Sequence, residues 1–179
     1  LGMEHESRAM FRIKLGEIIP AEVKEKVFKE HPYAKIFTNS KFYNDTVLLI
    51  GMEFCDIRDH VKFLHGLLIF YDVEERSIKR TITINKPFFV SSLLTNYAVR
   101  DTIVILEDDD TYQIYKITHN LTLSYIAKLN LTELKVILKN YIPGFSLEDP
   151  HEFYVSDIVV SNSYVFLTVA IYLFRTHYN

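Results

Sequence analysis

DTIVILEDDDTYQIYKITHNLTLSYIAKLN, residues 101–130, decides the fold class, because it sets three strand-length runs in succession with two short polar turns between them. Thr102–Glu107 is β-branched and aliphatic, Tyr112–Thr118 alternates aromatic and aliphatic residues with polar ones, and Thr122–Leu129 alternates more weakly. Asp108-Asp109-Asp110 and His119-Asn120 supply the Asp/Asn chemistry that tolerates tight turns. The stretch predicts a β-meander.

Working outward, Thr46–Phe54 is an almost continuous apolar run that suits a strand buried on both faces. Val61–Val73 is long for one strand, and Gly66 in its middle points to a bulge or to close approach of another backbone. Glu74-Glu75-Arg76 turns the chain into Ser77–Ile84, where Ile78, Ile82 and Ile84 share one parity. Pro87–Leu94 and Tyr97–Val99 are further strand candidates, Asn39–Asp45 and Phe145–Glu152 read as loops, and Phe153–Val160 with Tyr164–Arg175 forms a hairpin. Met10–Leu15 alternates Phe11, Ile13 and Leu15 with Arg12 and Lys14, as a half-buried strand does.

Two short helices interrupt this β pattern. Pro20 opens Ala21–Glu30, in which Val23, Val27 and Phe28 form one stripe and His31-Pro32 ends it. Residues 131–142 form the second: Asn130 caps, Glu133 holds the capping-box position, and Leu134, Ile137, Leu138 and Tyr141 follow helical spacing. Both stripes are expected to pack on the parent sheet, with docking elsewhere as the alternative for the first. The fold class is mainly β: antiparallel meanders, propeller-like or sandwich, with these two helices inserted.

The 179 residues suit one domain, here 3–179, with Leu1-Gly2 ahead of Met3 read as the scar of a cleaved tag. A net charge of −3 with scattered basic residues lacks the footprint of a nucleic-acid binder. The longest apolar run, Tyr164–Phe174, falls short of the ~20 residues of a membrane span. The single Cys55 cannot pair internally and favours a reducing, intracellular setting, cytoplasmic or nuclear. Sequons at Asn44, Asn120 and Asn130 would carry glycans only if the chain were secreted.

Gly66–Ile84 (GLLIFYDVEERSIKRTITI) and Thr111–Asn130 (TYQIYKITHNLTLSYIAKLN) resemble the third and fourth strands of blades in WD40-like β-propellers. The resemblance runs over roughly residues 45–130 and recurs at 153–175, without the family's Gly-His opening or Trp-Asp dipeptide. It implies architecture and carries no functional residue. A closed propeller has at least four blades, whereas the strand candidates, about eleven, make fewer than three. The sheets are therefore expected to pack as a sandwich or to offer edges to something else.

Chemistry-bearing motifs are sparse. Cys55, His60 and His65, with Asp56 and Asp59, miss the spacing of zinc sites. Glu107–Asp110 lacks the central Gly and later Glu of a calcium loop and reads as a solvated turn, with a basic peptide as its conceivable ligand. With only 5 Gly and no P-loop or nucleophile elbow, no cofactor, metal or catalytic residue is assigned. The expected function is protein–protein interaction or assembly, the partner being another protein or a second copy. A hydrolase-like enzyme with a His/Asp cleft and a viral or surface-attachment module are the alternatives. Candidate partner-binding residues are Phe11 and Ile13 against Tyr172 and Phe174 as a closing seam, the stripe Val23, Val27 and Phe28, and the acidic turn Asp108, Asp109 and Asp110.

Overall fold

Among the described residues two neighbouring strands, β2 (Val47–Asp56) and β3 (Lys62–Asp72), hold most of the fully buried side chains, among them Leu49, Met52, Phe54, Leu67, Leu68, Ile69 and Phe70. Each such side chain contributes on the order of 1.5–3 kcal/mol by leaving water, so this pair is the spine of the fold. Because both runs are apolar at consecutive positions, each strand needs cover on two faces, and the chain supplies a different cover for each. The computed structural model describes residues 13–58, 61–90, 102–108, 111–141, 151–160 and 165–173; for Phe89 and for 102–108, 151–160 and 165–173 the backbone alone is described.

On one face Ile50, Met52, Phe54, Leu67 and Ile69 meet Ile18, Ile19 and Val27 from two helices, α1 (Leu15–Ile18) and α2 (Ala21–Glu30). On the other, Val47, Leu49, Leu68 and Phe70 meet Phe88 and Val90 of β5 (Phe88–Val90) and Ile117 of β7 (Thr111–Ile117). Strands β1 (Lys35–Phe42) and β4 (Ser77–Ile84) flank the spine, so the first sheet runs β1-β2-β3-β4. With β6 (Thr102–Asp108) and β8 (Leu123–Asn130) the second sheet runs β5-β6-β7-β8. Both are antiparallel meanders in chain order. A third helix, α3 (Leu131–Lys139), follows, and β9 (His151–Val160) pairs with β10 (Val165–Leu173), with β9 lying beside β6. The chain is thus mainly β, with a helix layer on one sheet.

The meander expected at 101–130 forms at nearly the expected boundaries, and α2 and β4 form at the expected ones. The close approach expected at Gly66 is present: a Cβ there would lie 2.9 Å from the Ile84 carbonyl oxygen and 2.8 Å from the Phe88 ring. A bulge also sits nearby, where β3 skips Leu64 between the pairs Phe54↔His65 and Cys55↔Phe63. The α3 cap is as read, with Asn130 Oδ1 accepting from the N–H groups of Thr132 (2.9 Å) and Glu133 (3.2 Å), although the helix ends at Lys139 rather than at residue 142.

Three expectations are corrected. Residues 35–42 form β1 where Asn39–Asp45 was expected to be a loop, because backbone pairing with β2 holds a strand whose side chains are mostly exposed and polar. Leu15 begins a helical turn instead of ending a strand, and Ile13 lies outside any strand, packed beside the helix-side core. Ile78 does not share a face with Ile82 and Ile84: β4 skips Lys79 between Phe70↔Arg80 and Tyr71↔Ile78, and this bulge sends Ile78 toward Ile13 and Ile18. The expected strand at Tyr97–Val99 and the end of Pro87–Leu94 lie outside the described residues.

Candidate functional site

The joint between the two four-stranded sheets is where side chains with chemical potential gather. On the β5-facing side of β2, the apolar alternation breaks at Gly51 and Glu53. Gly51 and Gly66 leave room for the Phe88 ring, since a Cβ on Gly51 would come within 3.1 Å of it. Glu53 Oε1 accepts the Phe88 N–H at 2.8 Å, and Asn39 Nδ2 on β1 donates to the Val90 carbonyl at 3.2 Å. At the far edge Arg80 donates to the Asn120 carbonyl at 3.0 Å. Beside the Glu53 bond opens a cleft of about 200 Å³, lined by Phe37, Asn39, Gly51, Glu53, Phe88 and Val90 among others. Burial pushes the Glu53 carboxyl above its ordinary value, and the Phe88 N–H only partly offsets this.

A second cluster ties α2 to the end of β2. Arg58 donates to both oxygens of Asp56, Nε at 3.1 Å and Nη2 at 2.6 Å, while His31 Nδ1, at the C-terminal cap of α2, stands 3.2 Å from Asp56 Oδ2. The Arg58 bonds foremost, then His31, hold the Asp56 carboxyl well below the usual carboxylate range. The Arg58 guanidinium also lies 5.5 Å from the centre of the Tyr33 ring. An aspartate engaged from two sides is a clamp between the end of α2 and the end of β2.

The neighbouring cysteine and histidine are also committed to the core. Burial first, then the charge of Glu53, raises the Cys55 thiol, which keeps it protonated and a poor nucleophile. His65 pairs across the ladder with Phe54, edge to face at 6.1 Å, and burial followed by the Lys26 charge lowers its pKa. His60 lies outside the described residues, among which no group of three metal-binding side chains gathers.

The described candidate partner residues have neighbours within the chain itself. Val27 is buried and Val23 and Phe28 are half-buried against the chain's own first sheet, with Phe28 edge-on to Phe54 at 6.2 Å, so this stripe covers the core. Tyr172 pairs with Glu152 in the β9–β10 ladder, and Asp108 pairs with Thr111. Phe11, Asp109, Asp110 and Phe174 lie outside the described residues.

The helix that leaves apolar surface open is α3. Leu131 is its buried residue, while Val136 (51 %) and Ile137 (52 %) are exposed, as is Tyr141 (77 %) two residues past its end. The edge strand β8, which runs into α3 at Asn130, exposes Ile126 and Tyr125, the latter stacked edge-on against Tyr115 at 5.7 Å yet 55 % exposed. The helical stripe was legible in the sequence, but its lack of cover was not. The Glu53 cleft had a signal too, a charged residue inside a run otherwise apolar on both faces.

No protein-family model, no curated protein and no solved structure matches this chain. No described helix is long and apolar enough to cross a membrane.

Proposed function

We propose that this domain binds another protein, or a second copy of itself, through the apolar surface of α3 and the adjoining edge of β8. The observation that carries the reading is the exposure of Val136 and Ile137 on α3 and of Tyr141 just beyond its end. Isolated helices of this length are marginal in water, and apolar residues on a helix normally gain their stability by being covered. The strand that leads into α3, β8, adds exposed apolar residues of its own, Tyr125 and Ile126, at the edge of the second sheet, where a partner strand could pair.

The propeller-like reading of the architecture is supported by how the sheets stack. The first strands of the two sheets lie together, β1 by β5, and the fourth strand of the first is tied through Arg80 to the last turn of the second. Neighbouring propeller blades stack in this sense, and here α1 and α2 cover the remaining face of the first sheet. Such a rigid stack would hold α3 and β8 in fixed relation to a partner.

Analytical ultracentrifugation and co-purification of wild type against Ile137→Asp and Tyr141→Ser test the reading. Association that the substitutions abolish, with melting temperature unchanged, is expected. A wild-type chain that is monomeric and co-purifies with nothing, or an association indifferent to both substitutions, would overturn it.

A further inference from the structure

We infer that the cleft between β1, β2 and β5 is a binding site for an organic cation, the alkylammonium or guanidinium group of a lysine or arginine side chain or of a free amine. The site is independent of the α3 surface and does not require that the domain associate with anything.

The size of the cleft sets the first limit. At about 200 Å³ it is smaller than the roughly 300–1,000 Å³ that hold drug-sized ligands, and so fits a group of a few heavy atoms. Gly51 on its floor keeps that space, because a Cβ there would crowd both Phe88 (3.1 Å) and Val90 (3.2 Å).

The walls set the chemistry. Phe37, 48 % exposed on β1, and Phe88 on β5 present aromatic rings to one space, and the face of an aromatic ring attracts a cation within about 6 Å. Glu53 supplies the counter-charge. One of its oxygens is occupied by the Phe88 N–H, and among the described residues no other donor reaches the carboxylate. Asn39, its amide N–H given to the Val90 carbonyl, keeps its own carbonyl oxygen as a second acceptor. An anion would be repelled by Glu53. A calcium ion takes 6–8 oxygens, more than one carboxylate and one amide provide. A cation bearing N–H groups and an alkyl stem meets all the surfaces present: rings for the stem and charge, oxygens for the donors. The raised affinity of Glu53 for a proton fits a carboxylate held partly out of water with no cation beside it among the described residues.

The test is an amide-resolved NMR titration of the full chain at neutral pH with butylammonium chloride, sodium chloride matching the ionic strength and butan-1-ol as the uncharged control. Saturable shifts at the Gly51 and Phe88 amides, absent with butanol, are expected, along with a downward movement of the Glu53 carboxyl titration when amine is present. Glu53→Gln, which keeps an acceptor for the Phe88 N–H, should weaken binding at least tenfold. Phe37→Ala, at an exposed ring outside the core, should weaken it several-fold and serves if Glu53→Gln does not fold. A Gly-Lys-Gly peptide that binds more tightly than butylammonium assigns the site to side chains of a protein ligand, and the reverse order assigns it to a free amine. No saturable shift, equal shifts with butanol, or affinity unchanged in both variants would overturn the inference.

Discussion

Glu53 on the first sheet accepts the backbone N–H of Phe88 on the second at 2.8 Å, and the Phe88 ring fills the space above Gly51 and Gly66. The joint therefore depends on what is missing from β2 and β3 as much as on what is there. Gly66→Ala should destabilise the domain by about 1–3 kcal/mol, since the new methyl meets a backbone carbonyl that cannot rotate away. Gly16→Ala is the control: its nearest neighbour would be the flexible Lys24 ammonium at 4.0 Å, so urea denaturation should register no loss.

The pH dependence of stability has two opposite arms. Burial, the larger effect on Glu53, raises its folded pKa, so the folded state holds the proton more tightly than the unfolded one. Stability from this group is full below its ordinary value of 4.5 and falls as pH rises through the window above it. Melting temperature measured across that window should decline, and Glu53→Gln should remove this part of the slope.

Asp56 and Asp72 run the other way. Arg58 foremost lowers the first, and the Glu75 N–H foremost lowers the second. Their contribution is complete above the ordinary 3.8 and is lost as pH falls below it. Asp56→Asn should lower the melting temperature at neutral pH and flatten the acid-side loss. An unchanged melting curve would mean that the Arg58–Asp56–His31 clamp holds nothing.

How far the sequence spoke depended on where each side chain ends up. The meander of β6, β7 and β8 was legible because its runs are strand-length and its turns carry Asp and Asn. The same holds for α2, whose Val23, Val27 and Phe28 do lie against the core. β1 was silent because KIFTNSKF is held by ladder bonds to β2 rather than by an apolar face, and α1 is a single turn too short to show a period. Ile78 was misplaced by one bulged lysine, since a one-residue slip moves a strand's side chains to the other face. The Glu53 cleft joins residues from β1, β2 and β5, and no local pattern records which strand of one sheet meets which of the other.

The α3 cap can be tested alone. Asn130→Ala removes the oxygen that accepts from Thr132 and Glu133 and should cost about 1 kcal/mol, read as lost helical ellipticity and a lower urea midpoint. Asn130→Asp keeps the acceptor and should restore both.

Site-specific photo-crosslinking probes the partner surface on α3 and β8 residue by residue. With benzoylphenylalanine placed singly at Ile137, at Tyr125 and, as a control on β1 at the opposite edge of the first sheet, at Lys35, one discrete adduct of the same mass is expected from Ile137 and Tyr125 and none from Lys35. No adduct from Ile137, or equal labelling from all three positions, would contradict it.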